Sequence, residues 1–330
     1  MTKVHLGDLN VGGNTRWSEL PAEVREIIAR EYALGGTPAL TRYLHSAKLT
    51  IPVNTVRGYL VRAGVTVDRY TIPDSTLAPR LYRVEVPKAV VRVVFLSDDQ
   101  VPFHDRALWA RVLRFVDDLK PNMIVHLGDG IDNYTLSRFS RDPARVHSFG
   151  AELREMNTHL DELDSVAGKA IKLYHLGNHE ERLEKYVIDR APELRGIDEI
   201  SISSLLRLEK RGYEVFESGH MSEFRGFVMT HGTHTGPSAA ERMAAATGSS
   251  GISGHNHQAR AFWWTDLRGP HAWFINPTLM RVDAAEPSYV KGPVNWAQGF
   301  TYGTWVGNTF NLSTVVANQA GQFVAGGKLY

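Results

Sequence analysis

The chain has no cysteine among its 330 residues, and that absence removes disulfides, thiolate metal sites and cysteine nucleophiles together. Any metal must be held by nitrogen and oxygen. Long apolar runs are missing too: no stretch approaches the ~20 residues that span a bilayer. The N-terminus lacks a basic segment followed by an apolar run and a cleavage site. These absences point to a cytoplasmic protein with no membrane contact. Net charge is nearly absent, with 37 Lys+Arg against 36 Asp+Glu, so no global field announces a nucleic-acid partner and one must be sought in local patches. What remains, 43% hydrophobic and 22% charged, is ordinary globular composition with room for one large domain and a smaller attachment. Nothing in it bears on oligomeric state.

Residues 1–66 read as a small all-α module of three short helices. Val24, Ile27, Ile28 and Tyr32 fall at helical spacing before a stop at Gly35-Gly36, Leu40, Tyr43, Leu44 and Ala47 suit a second helix, and Val56, Leu60 and Ala63 form the stripe of a third ending at Gly64. The tight turn before the third helix resembles a helix-turn-helix unit. Residues 67–88, with Pro73, Pro79 and Pro87 and no sustained period, read as a linker or arm. From 89 to 330 the pattern becomes α/β. Buried-strand runs at Val90–Leu96, Met123–Leu127 and Ile171–Leu176 alternate with helical stretches, and later strands are expected at Tyr213–Phe216, Phe224–Thr230, Ala261–Thr265, His271–Ile275 and Phe300–Val306.

Each of the first three runs ends in polar residues beside a tight turn: Ser97-Asp98-Asp99-Gln100, Gly128-Asp129-Gly130-Ile131-Asp132 and Gly177-Asn178-His179-Glu180. In an open α/β sheet such strand ends converge on one edge, where ligands bind. Thr230-His231-Gly232 and Gly254-His255-Asn256-His257 repeat the device with histidines. Taken singly, each block is a common turn or a surface histidine pair; five in order are not.

In this order the blocks resemble the calcineurin-like metallophosphoesterase superfamily over roughly Val90 to His257, with Gln100 where that pattern usually has histidine. The resemblance implies an α/β sandwich of two mixed sheets flanked by helices, carrying two divalent metals. Asp98, Gln100, Asp129 and His257 would hold the first, and Asn178, His231 and His255 the second, with Asp129 bridging. A hydroxide between the metals would attack phosphorus in line, and His179 would serve the leaving group as a proton donor. Asp132 and Glu180 would orient ligands. Manganese is the expected metal, with Mg, Fe, Zn or Ni as alternatives. An amide oxygen at position 100 is a harder, weaker ligand than imidazole and favours Mn or Mg in the first site. Asp99 should point away from that site along the extended strand end.

Other polar residues divide between site and scaffold. Arg182 is placed to reach a phosphate oxygen. His104 either lines the site or is exposed beside Asp105, which caps the next helix, and the sequence favours the latter. His126 and His175, inside strands, read as hydrogen-bonded core residues, and His234 as a loop residue. Trp263, Trp264, Trp273, Trp296 and Trp305 read as packing residues rather than a stacking platform for bases.

The ester itself is not written in the site. Between Thr41 and Tyr70, Arg42, Lys48, Arg57, Arg62 and Arg69 face the single acid Asp68, a bias that suits phosphate contacts with the helix from about Asn54 to Ala63 in a DNA groove. This favours a phosphodiesterase or nuclease acting on DNA, and a helical unit before such a domain resembles phage-encoded members. The alternatives are a phosphomonoesterase on proteins or nucleotides, suggested by the glutamate of Gly177-Asn178-His179-Glu180, a helical module that only docks, and a DNA-binding or scaffold protein with a decayed metal site.

Overall fold

The computed structural model describes residues 17–46, 49, 51–65, 80–138, 148–282 and 294–330, and divides into two units, Met1–Ala78 and Pro79–Tyr330. In the first, α1 (Ala22–Ser46) and α2 (Val53–Arg62) follow a short 3-10 turn at Trp17–Glu19. The expected three helices are thus two, because α1 runs straight through Gly35-Gly36. Burial explains it. Val24, Ile28, Tyr32, Leu40 and Leu44 keep one four-residue register across the glycines and share a core with Val56 and Leu60 of α2. That common stripe outweighs a helix cost of about 1 kcal/mol per glycine. Arg42's side chain, Lys48 and Arg69 lie outside the described residues.

The second unit runs β1 (Leu81–Arg83), β2 (Val90–Leu96), α3 (Arg106–Leu119), β3 (Met123–His126), α4 (Phe149–Ala167), β4 (Ile171–His175), α5 (Glu181–Arg190), α6 (Ile202–Leu205), β5 (Tyr213–Phe216), β6 (Met221–Phe224), β7 (Phe227–Thr230), α7 (Ala239–Thr247), β8 (Gly251–Ser253), β9 (Arg260–Asp266), β10 (Gly269–Ile275), β11 (Gly299–Val306) and β12 (Thr309–Val316), with a small terminal hairpin. Two six-stranded sheets form, in the orders β1-β6-β7-β8-β10-β9 and β12-β11-β2-β3-β4-β5. Both are mixed: β2 to β5 are parallel while β11 and β12 run antiparallel, and β7, β8 and β10 are parallel while β6 opposes β7 and β9 opposes β10.

The apolar stretch Val93–Leu96 of β2 reflects burial on both faces, while Val90 and Arg92 at its start are exposed. Val91, Val93 and Phe95 face Phe227, Met229, Ile252 and Phe274 of the other sheet, while Val94 and Leu96 pack on Leu108, Val112 and Phe115 of α3. Helix α7 covers the outer face of the first sheet by packing Ala240 and Met243 against Val228, Trp273 and Ile275. The result is an α/β/β/α sandwich of two mixed sheets flanked by helices.

Two expectations need correction. The single strand Phe224–Thr230 is a hairpin, broken at Arg225-Gly226, where both residues take positive φ (52° and 79°), the requirement of a two-residue turn between antiparallel strands. Part of the arm, Leu81–Arg83, is an edge strand parallel to β6, and Val84 and Val86 enter the core between the sheets.

Candidate metal centre

The parallel ladder does not end where the strands do. Leu127 N donates to Leu96 O, Asp98 N to Gly128 O at 2.9 Å, Gln100 N to Asp129 O at 3.0 Å and Val101 N to Gly130 O at 2.8 Å. The segments after β2 and β3 are therefore held side by side, and those after β4, β7 and β8 reach the same edge. Asp98, Gln100, Asp129, His255 and His257 all take φ between 45° and 66°, a conformation that costs a non-glycine residue ~1–3 kcal/mol and persists only where surroundings impose it. Five such residues from three loops in one place mark a built site.

Two clusters result. In one, His257 Nε2 lies 3.1 Å from Asp98 Oδ1 and 3.3 Å from the Gln100 amide nitrogen. A half-turn of that amide presents its oxygen instead. In the other, His231 Nε2 lies 3.2 Å from Asp129 Oδ2, 3.1 Å from Asn178 Oδ1 and 3.2 Å from His255 Nδ1. The ligand atoms of Asp129, His231 and His255 all fall within 4.8 Å of one another. The Asp98 carboxylate joins the clusters by accepting from His255 N at 3.1 Å.

This donor set fits a divalent ion. Ligands ~2.1 Å from an ion sit about 3.0 Å apart when cis in an octahedron and about 3.4 Å apart in a tetrahedron, the range found here. His231 Nδ1 donates to Leu127 O at 2.7 Å, which commits Nε2 to the centre. Burial alone would lower its pKa, but Asp129 raises it to about 10, so the pocket calls for positive charge at Nε2, from a proton or a metal. Burial and then His231 push His255 down to about 4, keeping that imidazole neutral as a ligand must be. Burial acts to raise Asp129, yet His179 and His231 hold it well below the usual carboxylate range. Close approach explains the motif glycines: a Cβ on Gly177 would stand 2.1 Å from Asp129 Oδ1, and one on Gly254 2.7 Å from Asp98 Oδ2.

Glu180 is not aimed at the centre. Its oxygens accept from Asp129 N (2.9 Å), Gly130 N (2.8 Å), Gly177 N (2.8 Å) and the Tyr174 hydroxyl (2.9 Å), clamping the β3 and β4 loops together. Asp132 lies against His179, whose Nδ1 is 2.9 Å from Asp132 O and 3.1 Å from its Oδ1. Arg182 donates to Asp132 O at 2.6 Å and approaches His179 Nε2 at 3.1 Å. Burial would lower the His179 pKa, but Asp129 and a hydrogen bond to Asp132 raise it. Arg182 can only donate, so its bond to Nε2 and a proton on Nε2 exclude each other.

Some of the remaining residues stand where the sequence puts them and others do not. His104 is buried, 7% exposed, edge-on to His159 with ring centroids 4.7 Å apart. Burial and then His159 lower its pKa to about 4; Asp105 does cap α3, accepting from Ala107 N and Leu108 N. Trp273 and Trp305 are core, whereas Trp263 is 65% exposed. Trp296 stands edge-on to His257 at 4.6 Å. His126 and His175 are core residues bonded to Asp99 Oδ2 (2.6 Å) and Ser222 Oγ (3.0 Å). Sequence reasoning missed Tyr174, which reads as a core strand residue, and the contact of Asn133, which it notes only for standing where phosphoprotein phosphatases have an arginine and whose Nδ2 donates to His179 O at 2.9 Å. It also missed Glu152, whose pKa burial and then Asp132 push up to about 7. None belongs to a motif block, and only the fold shows what they touch.

No protein-family model matches the chain. In sequence it is similar to the gene 54 proteins of Mycobacterium phage D29, 29% identical over 233 residues covering 66% of this chain and 90% of that one, and of Mycobacterium phage L5, 27% identical over 227 residues covering 63% and 87%. Solved structures that align with it include vacuolar protein sorting 29 of Cryptosporidium parvum (14% identity, 73% of this chain and 95% of that one, TM-score 0.40). The phosphoesterase YfcE of E. coli aligns at 15% identity (71% and 97%, TM-score 0.33), and the nuclease MPE of Pseudomonas putida at 12% (66% and 85%, TM-score 0.30).

Proposed function

We propose that the protein is a metal-dependent phosphodiesterase of the calcineurin-like kind, acting on DNA. The observation that carries the metal-dependent reading is the convergence of Asp98, Gln100, Asp129, Asn178, His231, His255 and His257 on one edge, on backbone bent to place them. Asp98, Gln100, Asp129 and His257 would hold one divalent ion and Asn178, His231 and His255 a second, with Asp129 between them; Mn suits the mixed oxygen and imidazole set. Bound there, such ions supply Lewis acidity toward a phosphoryl group and lower the pKa of an attacking water.

The chain's own residues do the rest. Asp129 and Asp98 provide the negative charge that makes cation binding favourable in a buried pocket. Leu127 O and Asn133 fix His231 and the His179 backbone respectively. His179 keeps its Nδ1 proton on Asp132 and, once Arg182 leaves Nε2 for a phosphate oxygen, can carry a proton at Nε2 to the departing oxygen. Glu180, the residue that suggested a monoesterase, has its acceptor capacity taken up by the backbone and Tyr174, so it favours neither ester class.

DNA as substrate is supported by the helical unit. On α2, Asn54, Thr55, Arg57 and Arg62 are exposed while Val56 and Leu60 are buried, the division a groove-reading helix needs. The test is hydrolysis of a nitrophenyl phosphodiester and the matching monoester by Mn-loaded protein, with His255→Ala as blank. A diester preference lost in the blank is expected, and a monoester preference moves the assignment to a phosphatase. Retention on DNA should weaken in Arg57→Ala and Arg62→Ala, with the salt slope falling by about 1 for each; retention unchanged in both would remove α2 from the interface.

A further inference from the structure

Asp99 stands between two candidate ligands, Asp98 and Gln100, yet its carboxylate turns away from them into the interior and is fully buried. Oδ2 lies 2.6 Å from His126 Nε2 and Oδ1 2.8 Å from His159 Nε2. We propose that Asp99 is a positioning residue that couples the two clusters of the metal centre, by fixing the tautomer of His126 and through it the backbone that carries Asp129. The proposal rests on the metal-centre reading above.

The chemistry is one of donors and acceptors. An ionised carboxylate only accepts, so both imidazoles facing Asp99 present Nε2–H. That leaves His126 Nδ1 as a lone pair, and it accepts from Gly128 N at 3.2 Å. The opposite tautomer would set Nδ1–H against Gly128 N–H and a lone pair against a carboxylate. Gly128, at φ 96°, leads directly into Asp129 at φ 54°, so the Asp129 turn is held in part by a bond that exists only in the tautomer Asp99 imposes.

A second route reaches the same turn. The His126 ring lies flat on Tyr174, centroids 4.4 Å apart and planes within 2°. Tyr174 donates its hydroxyl to Glu180, which clamps Asp129, Gly130 and Gly177. Asp99 is itself anchored from the helical layer: His159 of α4 stacks on Trp109 of α3 at 3.7 Å, and Trp109 Nε1 donates to Glu162 at 2.8 Å. Its own backbone, meanwhile, carries Asp98 and Gln100 at φ 56° and 45°. One buried carboxylate thus holds the first cluster through the chain and the second through His126.

Asp99→Asn tests this. The amide has one accepting oxygen, so its NH2 must face one of the two Nε2–H groups, and an imidazole must switch tautomer or lose its bond. Mn binding is measured by calorimetry and equilibrium dialysis on the full chain, the His126 tautomer by ¹⁵N NMR, and Leu160→Ala serves as the control. Leu160 is buried in α4 next to His159, in the apolar cluster that also holds Tyr174; its side chain makes no hydrogen bond, so Leu160→Ala lowers thermal stability by loosening the packing there and leaves the donors and acceptors around Asp99 unchanged. The wild type should bind two Mn. Asp99→Asn should bind them 10–100-fold more weakly, the range for residues that orient ligands without ligating, with the His126 Nδ1 signal altered, while Leu160→Ala keeps wild-type affinity. Tyr174→Phe, which removes only the hydroxyl on Glu180, reads the coupling from its other end should Asp99→Asn not fold, and should also weaken Mn. Two Mn bound by Asp99→Asn as tightly as by wild type, or equal weakening in Leu160→Ala, overturns the inference alone. A wild-type chain that binds no Mn overturns the metal-centre reading with it.

Discussion

Replacing Glu180 by glutamine removes one formal charge and no volume, so its effect isolates the clamp between the β3 and β4 loops. Glu180 is 1% exposed and accepts two hydrogen bonds on each oxygen: Gly130 N and the Tyr174 hydroxyl on Oε1, Asp129 N and Gly177 N on Oε2. If the amide nitrogen takes the Oε2 place, two backbone N–H groups lose their acceptor. If it takes the Oε1 place, the Tyr174 hydroxyl rotates to accept and only Gly130 N–H is orphaned. Hydrogen bonds to charged groups are worth about 1.5–3 kcal/mol each. The cheaper arrangement loses one outright and the charge on the other two, a cost of about 3 kcal/mol. Removing a buried charge works in the opposite direction, but four donors already compensate this one, and breaking a compensated buried charge destabilises. For a unit of this size, ~3 kcal/mol corresponds to a fall in Tm of roughly 6–12 °C. Scanning calorimetry of metal-free Glu180→Gln against wild type is the assay. A fall below ~2 °C would refute the clamp, because it would mean that the four bonds contribute nothing net.

Two other perturbations test the site and its surroundings. Gly177→Ala places a Cβ where Asp129 Oδ1 and the Asp129 backbone nitrogen stand, at 2.1 and 2.7 Å, so the Asp129 carboxylate must turn. Mn affinity by dialysis should drop by at least 10-fold, and unchanged affinity would show that Asp129 is not a ligand. His175 is buried and neutral, its pKa pushed down to about 3 by burial, against ~6.5 unfolded. Below ~6.5 the unfolded chain takes up a proton that the folded chain refuses, so stability present above that pH is lost as pH falls toward 3. The loss amounts to about 2 kcal/mol between pH 7 and 5. In His175→Gln, which keeps a donor for Ser222, the urea midpoint should fall less over that interval; an identical acid slope refutes the assignment.

That these polar residues belong together was legible because their chemistry allows few substitutes. Carboxylate, amide and imidazole at the ends of apolar runs announce candidate ligands wherever the strands lie, and Asp99 does face away from Asp98 and Gln100, though on a segment bent at positive φ rather than extended. The two-sheet sandwich was implied by the resemblance, while an α/β core was legible from buried-strand runs alternating with helical stretches. Helix ends were not. Gly35-Gly36 is a strong local stop, yet α1 passes through it, and Val24, Ile28, Tyr32, Leu40 and Leu44 of one four-residue stripe are buried on either side of it. Arg225-Gly226 hid inside an apolar stretch, since Arg is not a residue that advertises positive φ.

What the sequence determined, then, is which polar residues gather beyond the strand ends and roughly which edge presents them, because residue chemistry and strand periodicity are local properties. Tertiary structure alone decided what each polar residue faces. Glu180 lies one position from His179 and two from Asn178, and only packing turns it onto four donors of the backbone and Tyr174. His159, 60 residues from Asp99, meets it because α4 crosses the sheet where β2 ends. Contacts between residues far apart in the chain depend on how the layers stack, and that is set by the summed burial of whole faces rather than by any motif.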